Sequence, residues 1–432
     1  MFSLPAFVLM VRRGGLLVHA RLFDRLTGGH ARDSELTSEG VSVAFFKSAA
    51  LAAAIVCAWS CSAAADEALP KPANFLFWTP AEQAIGYRNI EKIFPVHLVK
   101  RGAWVDELPR ADPEIALPGA PDYMRTNRVS GLLVIKNGVI AFERYGLGRG
   151  PNDRWTSFSV AKSVTATLVG EAIRDGAIKS LNSPVADYIH ELKGSAYDGV
   201  TVRELLTMSS GVKWNEEYTD PKSDVAVFAT KPADKPGDNA IADYMAKLPR
   251  EAKPGTKFLY KTGESDLIGI LVSRATGKTL AGYLSEKIWL PMGAEQDAIW
   301  MTDRTGEEIG GCCISMTLRD YGRFGLLMLN HGRVQGRQIV PAHWAKDETT
   351  SHIASDWGNY GYGYQWWINP RGGYEAIGIF GQSIFVDPKE QLVVVLNSAW
   401  PEADAQPYYV AREAFLAGVV EALHGVHVKA EK

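Results

Sequence analysis

The sequence predicts an α/β (α+β) fold, with an antiparallel sheet assembled from both ends of the chain, helices flanking it, and an all-helical lobe inserted. Three observations carry this. Two alternating apolar runs meet at an Asn-Gly pair, Asn137-Gly138, and runs of the same kind return beyond residue 360. The chain between them reads as helices and loops. Strands at both ends with helices between are most economically built as one sheet with helical layers against it.

The elements follow in order. Residues 66–126 are proline-rich ("ALPKPANF", "ELPRADPEIALPGAPDY") and read as an irregular segment wrapping the surface. "SGLLVIKNGVIAFERYG" is a hairpin, because Asn-Gly between alternating apolar runs suits a two-residue turn with positive φ. "RWTSFSVAKSVTATL" opens a helix, with Val160, Val164 and Leu168 four apart on one face, and Asp175-Gly176 closes it. Thr201 and Glu204 form a capping box for a further short helix. "ESDLIGILVSRATGKTLAGYLSEKI" is a helix, a glycine break and a second helix, and "LRDYGRFGLLMLN" is another. "GYGYQWWI", "GIFGQSIFVDP" and "QLVVVLNSAW" return to strands, and "AREAFLAGVV" ends the chain as a helix. The expected organisation is an N-terminal extension with a signal peptide over 1–65, the irregular segment 66–126, and a main domain over 127–432 with its helical lobe at about 166–290.

The chain has 432 residues, 46% of them hydrophobic, and a net charge of −3 with acidic and basic residues interspersed. No basic stripe is present, which argues against nucleic acid as a partner. Near residues 44–65, Lys47, a short apolar stretch and Ala63-Ala64-Ala65 before Asp66 have the layout of a secretory signal. That implies export, with the periplasm as the expected destination, and translation starting downstream of Met1, at Val41 or Val43. The apolar stretch is too short for a membrane span. A lipid anchor at Cys61 is the weaker reading, since Ala58 stands where a larger aliphatic is wanted. Cys312 and Cys313 are adjacent, so they cannot staple a long loop, and they read as small apolar filler.

The chemistry concentrates at the start of the Val160 helix. A serine hydroxyl is a poor nucleophile until a base takes its proton, and Lys162, three residues after Ser159, faces the same way. Burial would make that ammonium easier to deprotonate, and the helix N-terminus favours developing negative charge. A bare Ser-x-x-Lys occurs by chance on many helices. Its neighbours raise its weight: an apolar helix follows it, and "FLYKTGESDLIG" lies about a hundred residues downstream.

With "SVAK", "FLYKTGESDLIG", "LLTMSSGV", "RDYGRFGLLMLNHG" and "YGYQWW", the sequence resembles the serine β-lactamase and penicillin-binding family over roughly residues 129–397. It resembles in particular the branch of 6-aminohexanoate-dimer hydrolases and carboxylesterases, on "VKWNEEYTDPKSD" and "GIFGQSIFVDP". The resemblance implies Ser159 as nucleophile, Lys162 as base and Tyr260 as proton relay. It also implies an oxyanion hole from the backbone N–H groups of Ser159 and Gln382, and Tyr218 closing over substrate. Two departures stand out. Thr262 occupies the asparagine place of Tyr-x-Asn, and Ile379-Phe380-Gly381 replaces Lys-Thr-Gly on the last strand, where only the glycine that admits substrate is kept.

The implied activity is hydrolysis of a small-molecule ester or linear amide. The lost cation and hydroxyl disfavour the alternative of a β-lactamase or D-alanyl-D-alanine carboxypeptidase, and retention of all three catalytic residue types disfavours a non-catalytic binding or sensor domain. No metal-ligand spacing or nucleotide loop is visible, so no cofactor is expected. Glu264 and Asp266 read as first-turn caps, and Trp214, Trp366 and Trp367 as packing residues.

Overall fold

The computed structural model describes residues 68–428, apart from Asn74 and Pro236. The signal-like segment, its alternative start sites and Cys61 lie outside the described residues. Among the described residues no helix is long and apolar enough to cross a membrane.

Fourteen strands are described: β1 (Val96–Val99), β2 (Val129–Lys136), β3 (Val139–Tyr145), β4 (Trp155–Thr156), β5 (Ala298–Met301), β6 (Ile314–Met316), β7 (Arg333–Val334), β8 (Arg337–Gln338), β9 (Ile353–Ala354), β10 (Gly361–Tyr362), β11 (Trp367–Ile368), β12 (Tyr374–Gly378), β13 (Gln382–Asp387) and β14 (Leu392–Ser398). The main sheet has the order β3-β2-β14-β13-β12-β11-β10-β9 and is antiparallel throughout. It joins the two ends of the chain through the β2–β14 pair, in which Val134 faces Val394.

The Asn137-Gly138 turn has φ of 55° and 78°, as a two-residue hairpin between right-twisted strands requires. Both faces of the main sheet are covered, and this explains the unbroken apolar runs in β2 and β14. Successive side chains point to opposite faces. Leu133, Ile135, Val393 and Val395 enter the large core, whereas Leu132, Val134, Val394 and Leu396 enter a second cluster with Leu416, Val419 and Leu423.

Four long helices matter: α1 (Val160–Arg174), α2 (Thr262–Thr276), α3 (Leu318–Leu329) and α4 (Gln406–Leu423). α4 covers one sheet face and α3 the other. α3 sits close to the strands because Gly322 and Gly325 face Leu133 and Val393, where a Cβ would come within 2.7 and 2.6 Å. α1 packs on α2 in the core, which brings their first turns together. Thr201 and Glu204 form the expected reciprocal capping box at Val202–Leu206.

The fold differs from the sequence reading in two ways. The segment 66–126 is not irregular throughout, since it forms short helices and strand β1, which the proline count obscured. β1 joins a second antiparallel sheet, β1-β5-β6-β4, that local patterning gave no sign of because its strands have two to four residues. No named strand lies between β4 and β5 among the described residues, so that interval is helical apart from isolated bridges.

Candidate active site

Ser159 stands at the N-cap of α1, and its side chain makes no capping bond, so the hydroxyl is left to other partners. No backbone carbonyl among the described residues takes the Ser159 N–H. Lys162, one turn on, is buried. Its Nζ lies 2.9 Å from Ser159 Oγ, 3.0 Å from Thr262 Oγ1 and 2.9 Å from the Gly311 carbonyl.

The roles in these contacts can be deduced. The Gly311 carbonyl only accepts, and the Thr262 hydroxyl spends its hydrogen on Glu216. Both must therefore take hydrogens from Lys162. A neutral amine has two hydrogens and one lone pair, and of the three contacts only Ser159 can supply a hydrogen to that lone pair. The three contacts fit an ammonium that gives one hydrogen to each, and when Lys162 loses a proton the Ser159 contact is the one that can reverse, the serine hydroxyl then donating to the amine lone pair. Burial eases that loss, pulling Lys162 down to about 8, with the Glu216 and Asp266 carboxylates acting in the opposite direction.

Tyr260 lies beside this pair. Its ring centroid is 5.1 Å from Lys162 Nζ, and the ring stacks on Trp367 at 5.6 Å. Burial pushes its hydroxyl well above the ordinary tyrosine range, while a hydrogen bond with Ser159 acts the other way. Tyr260 is thus a neutral hydroxyl at pH 7, able to pass a proton but a worse acceptor than Lys162.

These groups open on a cavity of about 290 Å³. Ser159, Tyr260, Tyr218 and Glu216 line one side, and Ile377, Gly378 and Ile379 the strand side. Trp357, Trp367, Tyr409, Asp356 and Asp404 complete it. Tyr218 is a buried wall residue whose hydroxyl donates to Glu216 at 2.6 Å. Asp404 is pushed above the usual carboxylate range by burial, against a hydrogen bond from Tyr409 and with the negative charge of Glu217 and Glu216 adding to the rise.

Several sequence expectations change here. Ile379-Phe380-Gly381 is a short 3₁₀ turn between β12 and β13 rather than part of a strand, and Phe380 takes a φ of 59° within it. Ile379 reaches the cavity, whereas Phe380 packs on Phe158 and Tyr87 in the core. A Cβ on Gly381 would meet the Trp400 indole at 2.4 Å, whereas one on Gly378 would come within 3.0 Å of the Ser159 nitrogen. The glycine that admits a close approach to Ser159 is therefore Gly378.

Gln382 lies outside the cavity lining. It is buried, its side chain accepting from Trp155 Nε1 at 3.1 Å and donating to the Ser398 carbonyl at 2.8 Å. Trp366 is a core residue and Trp214 is buried, but Trp367 lines the cavity.

Glu264 and Asp266 are not exposed caps, because both are fully buried. Glu264 accepts from Tyr197 at 3.2 Å and from Ser210, and lies 3.3 Å from Lys261. Asp266 accepts the Gly311 N–H at 2.7 Å and is pushed up to about 7 by burial. It thereby anchors the residue whose carbonyl accepts from Lys162. Cys312 and Cys313 follow that peptide and are joined as a disulfide. Cys313 is buried in the core as filler would be, and a bridge between neighbours closes no long loop.

The residue that sequence reading missed is Glu216. It accepts from the Thr262 N–H at 2.9 Å, the Tyr218 hydroxyl, the Thr262 hydroxyl and the Trp214 indole. Its only local signal was a carboxylate between Trp214 and Tyr218 in a polar loop. Among the described residues, His190, Glu191 and Asp238 are the one group spaced like metal ligands, and Arg274 already holds the Glu191 carboxylate at 2.6 and 2.7 Å.

Comparison with known proteins agrees with this architecture. The Beta-lactamase family profile matches residues 121–417. The 6-aminohexanoate-dimer hydrolase of Paenarthrobacter ureafaciens is 31% identical over 327 residues, covering 72% of this chain and 82% of the relative. A Beta-lactamase of Pseudomonas fluorescens is 27% identical over 188 residues, 41% of this chain and 48% of that protein. Among solved structures, a Bacillus anthracis chain provisionally named a 6-aminohexanoate-dimer hydrolase superposes with a TM-score of 0.73 at 25% identity. That superposition covers 83% of this chain and 100% of the other. A family VIII carboxylesterase shares the fold, with a TM-score of 0.55 at 18% identity over 71% of this chain and 98% of its own. The chain belongs to the Beta-lactamase family and has the fold of its hydrolases.

Proposed function

We propose that the protein is a serine hydrolase that cleaves small esters or linear amides through an acyl-Ser159 intermediate. The observation that carries the reading is the hydrogen-bond inventory of Lys162, which leaves Ser159 as the one contact able to donate to its lone pair. Lys162 takes the serine proton as Ser159 Oγ attacks the carbonyl carbon, and Tyr260 relays that proton to the leaving oxygen or nitrogen. Water then attacks the acyl-serine, with the same groups acting in reverse.

The Ser159 N–H supplies one oxyanion donor. We place the second on the Ile379 N–H rather than Gln382, because Ile379 lines the cavity and Gln382 does not. The site requires no metal or cofactor for these steps.

Charge narrows the substrate. Glu216, Asp356 and Asp404 all line the cavity, and Trp357, Trp367 and Tyr409 add aromatic faces. Carboxylates and aromatic rings together favour an ammonium over a carboxylate. The relative named as a 6-aminohexanoate-dimer hydrolase supports a linear amide bearing a free amine. A β-lactam, whose carboxylate would face this acidic cavity, is the poorer substrate.

The test is hydrolysis of a short p-nitrophenyl ester by the protein and by its Ser159→Ala variant, followed by a linear ω-amino amide with and without N-acetylation. Loss of ester hydrolysis in the variant and a preference for the free amine are the expected results. Equal ester rates in the two proteins would refute Ser159 as nucleophile, and a preference for the acetylated amide would refute ammonium recognition.

A further inference from the structure

Thr262 departs from the asparagine of the resembled motif, and the structure shows what the threonine does in its place. An asparagine amide could face lysine and substrate alone, whereas a threonine hydroxyl has a single hydrogen to give. That hydrogen goes to Glu216, so the oxygen turns its lone pair toward Lys162 Nζ at 3.0 Å. The buried amine is thus one hydroxyl away from a carboxylate. The carboxylate is itself held by the Thr262 N–H, the Tyr218 hydroxyl and the Trp214 indole, donors from two separate segments.

We propose that Glu216 is a positioning residue for Lys162. Through the Thr262 hydroxyl it aims the amine at Ser159, and it balances the charge that Lys162 acquires on taking the serine proton. This role deepens the assignment of Ser159 and Lys162 as nucleophile and base, and rests on it.

The step balances without any further reactant. The Ser159 O–H bond breaks and a third N–H bond forms on Lys162 as Oγ bonds to the carbonyl carbon. The proton later leaves with the alcohol or amine by way of Tyr260. Between these events the ammonium is buried, where an unbalanced charge is costly.

Among the described residues, the titratable groups that touch Lys162 or act on it come from four places. Ser159 comes from the N-cap of its own helix, the Tyr260 ring from the segment before α2, and Asp266 from α2, acting through the backbone of Gly311. Glu216 comes from the loop, acting through Thr262. Asp266 is linked to the amine through the backbone of Gly311, while Glu216 is linked to it by a single hydroxyl. Burial draws Lys162 down to about 8, and Glu216 is the leading group that holds it up.

The experiment is a pH profile of kcat and KM on the full chain with p-nitrophenyl butyrate, a neutral ester that any ammonium subsite ignores. Wild type, Glu216→Gln, Thr262→Val and Thr262→Ser are compared. Glu216→Gln and Thr262→Val are expected to lower the midpoint of the acid limb by about one pH unit. Both should also lower plateau kcat by at least about tenfold, with KM little changed. Thr262→Ser, which keeps the hydroxyl, should recover both quantities.

An unchanged midpoint in Glu216→Gln and Thr262→Val, or a serine variant no better than valine, would overturn the proposal. If Glu216→Gln does not fold, the near-isosteric valine and serine pair decides alone. Failure of the underlying reading looks different, because Ser159→Ala would then keep wild-type ester hydrolysis.

Discussion

Replacing Gly378 with alanine places a methyl carbon where the sheet meets the start of α1. The added Cβ would lie 2.6 Å from the Ser157 carbonyl oxygen, 3.0 Å from the Ser159 nitrogen and 3.2 Å from Gln382 Cβ. Two of these neighbours are backbone atoms, so no side chain can swing aside, and β12 must retreat from α1 by about 0.8 Å to reach ordinary contact. Overpacking of this kind costs about 1–3 kcal/mol. The larger effect falls on catalysis, because the methyl sits against the Ser159 N–H and moves the Ile379 segment with it. Loss of one oxyanion donor costs about 10²–10³ in kcat. The assay is kcat and KM for a p-nitrophenyl ester beside a thermal melt. The expected outcome is a fall in kcat of about a hundredfold or more, with a Tm lowered by only a few degrees. A Gly378→Ala protein whose kcat stays within about threefold of wild type would refute the placement of the oxyanion site against Gly378.

With Lys162 as the proposed base, drawn down to about 8 by burial, kcat/KM should rise from pH 6 to 9, with about a tenth of the plateau reached at pH 7. A flat profile over that range would remove Lys162 as the base. The same depressed value makes folding more favourable as pH rises from about 8 toward the ordinary lysine range, since the unfolded chain holds the proton longer; chemical denaturation at pH 7.5 and 9.5 measures the slope. Asp404→Asn should raise KM for a free-amine substrate while leaving the KM of a neutral ester unchanged, and parallel changes in both would argue against an ammonium contact. Gly418 lies exposed within α4, and a methyl group added there would meet nothing within 4 Å. Gly418→Ala should therefore stabilise the protein by about 0.5–1 kcal/mol in a denaturant titration, with kcat unchanged.

The features legible in the sequence were those whose causes lie within a few residues. Asn137-Gly138 turned the chain because the pair tolerates positive φ, and Thr201 with Glu204 capped a helix because the partners sit three apart. Ser159 and Lys162 shared a face because a helical turn places i and i+3 together. The family phrases extended that reach to Tyr260. The same local logic misjudged Glu264 and Asp266, whose first-turn positions look like caps whether the helix start is exposed or sealed. It also misplaced the critical glycine, because Gly378 and Gly381 read alike until the 3₁₀ turn aims one at Ser159 and the other at Trp400.

The sequence by itself determined the alternating apolar runs, the turn chemistry and the serine–lysine pair, because periodicity and capping are properties of neighbouring residues. Tertiary structure decided what surrounds that pair. The Gly311 carbonyl reaches Lys162 from 149 residues away, Thr262 from 100, and Glu216 reaches Thr262 across 46. Contacts at such separations depend on how α1, α2 and the strands pack, and no local preference encodes them. The enclosure that lowers the lysine and the carboxylates that balance it therefore exist only once the core has closed around them.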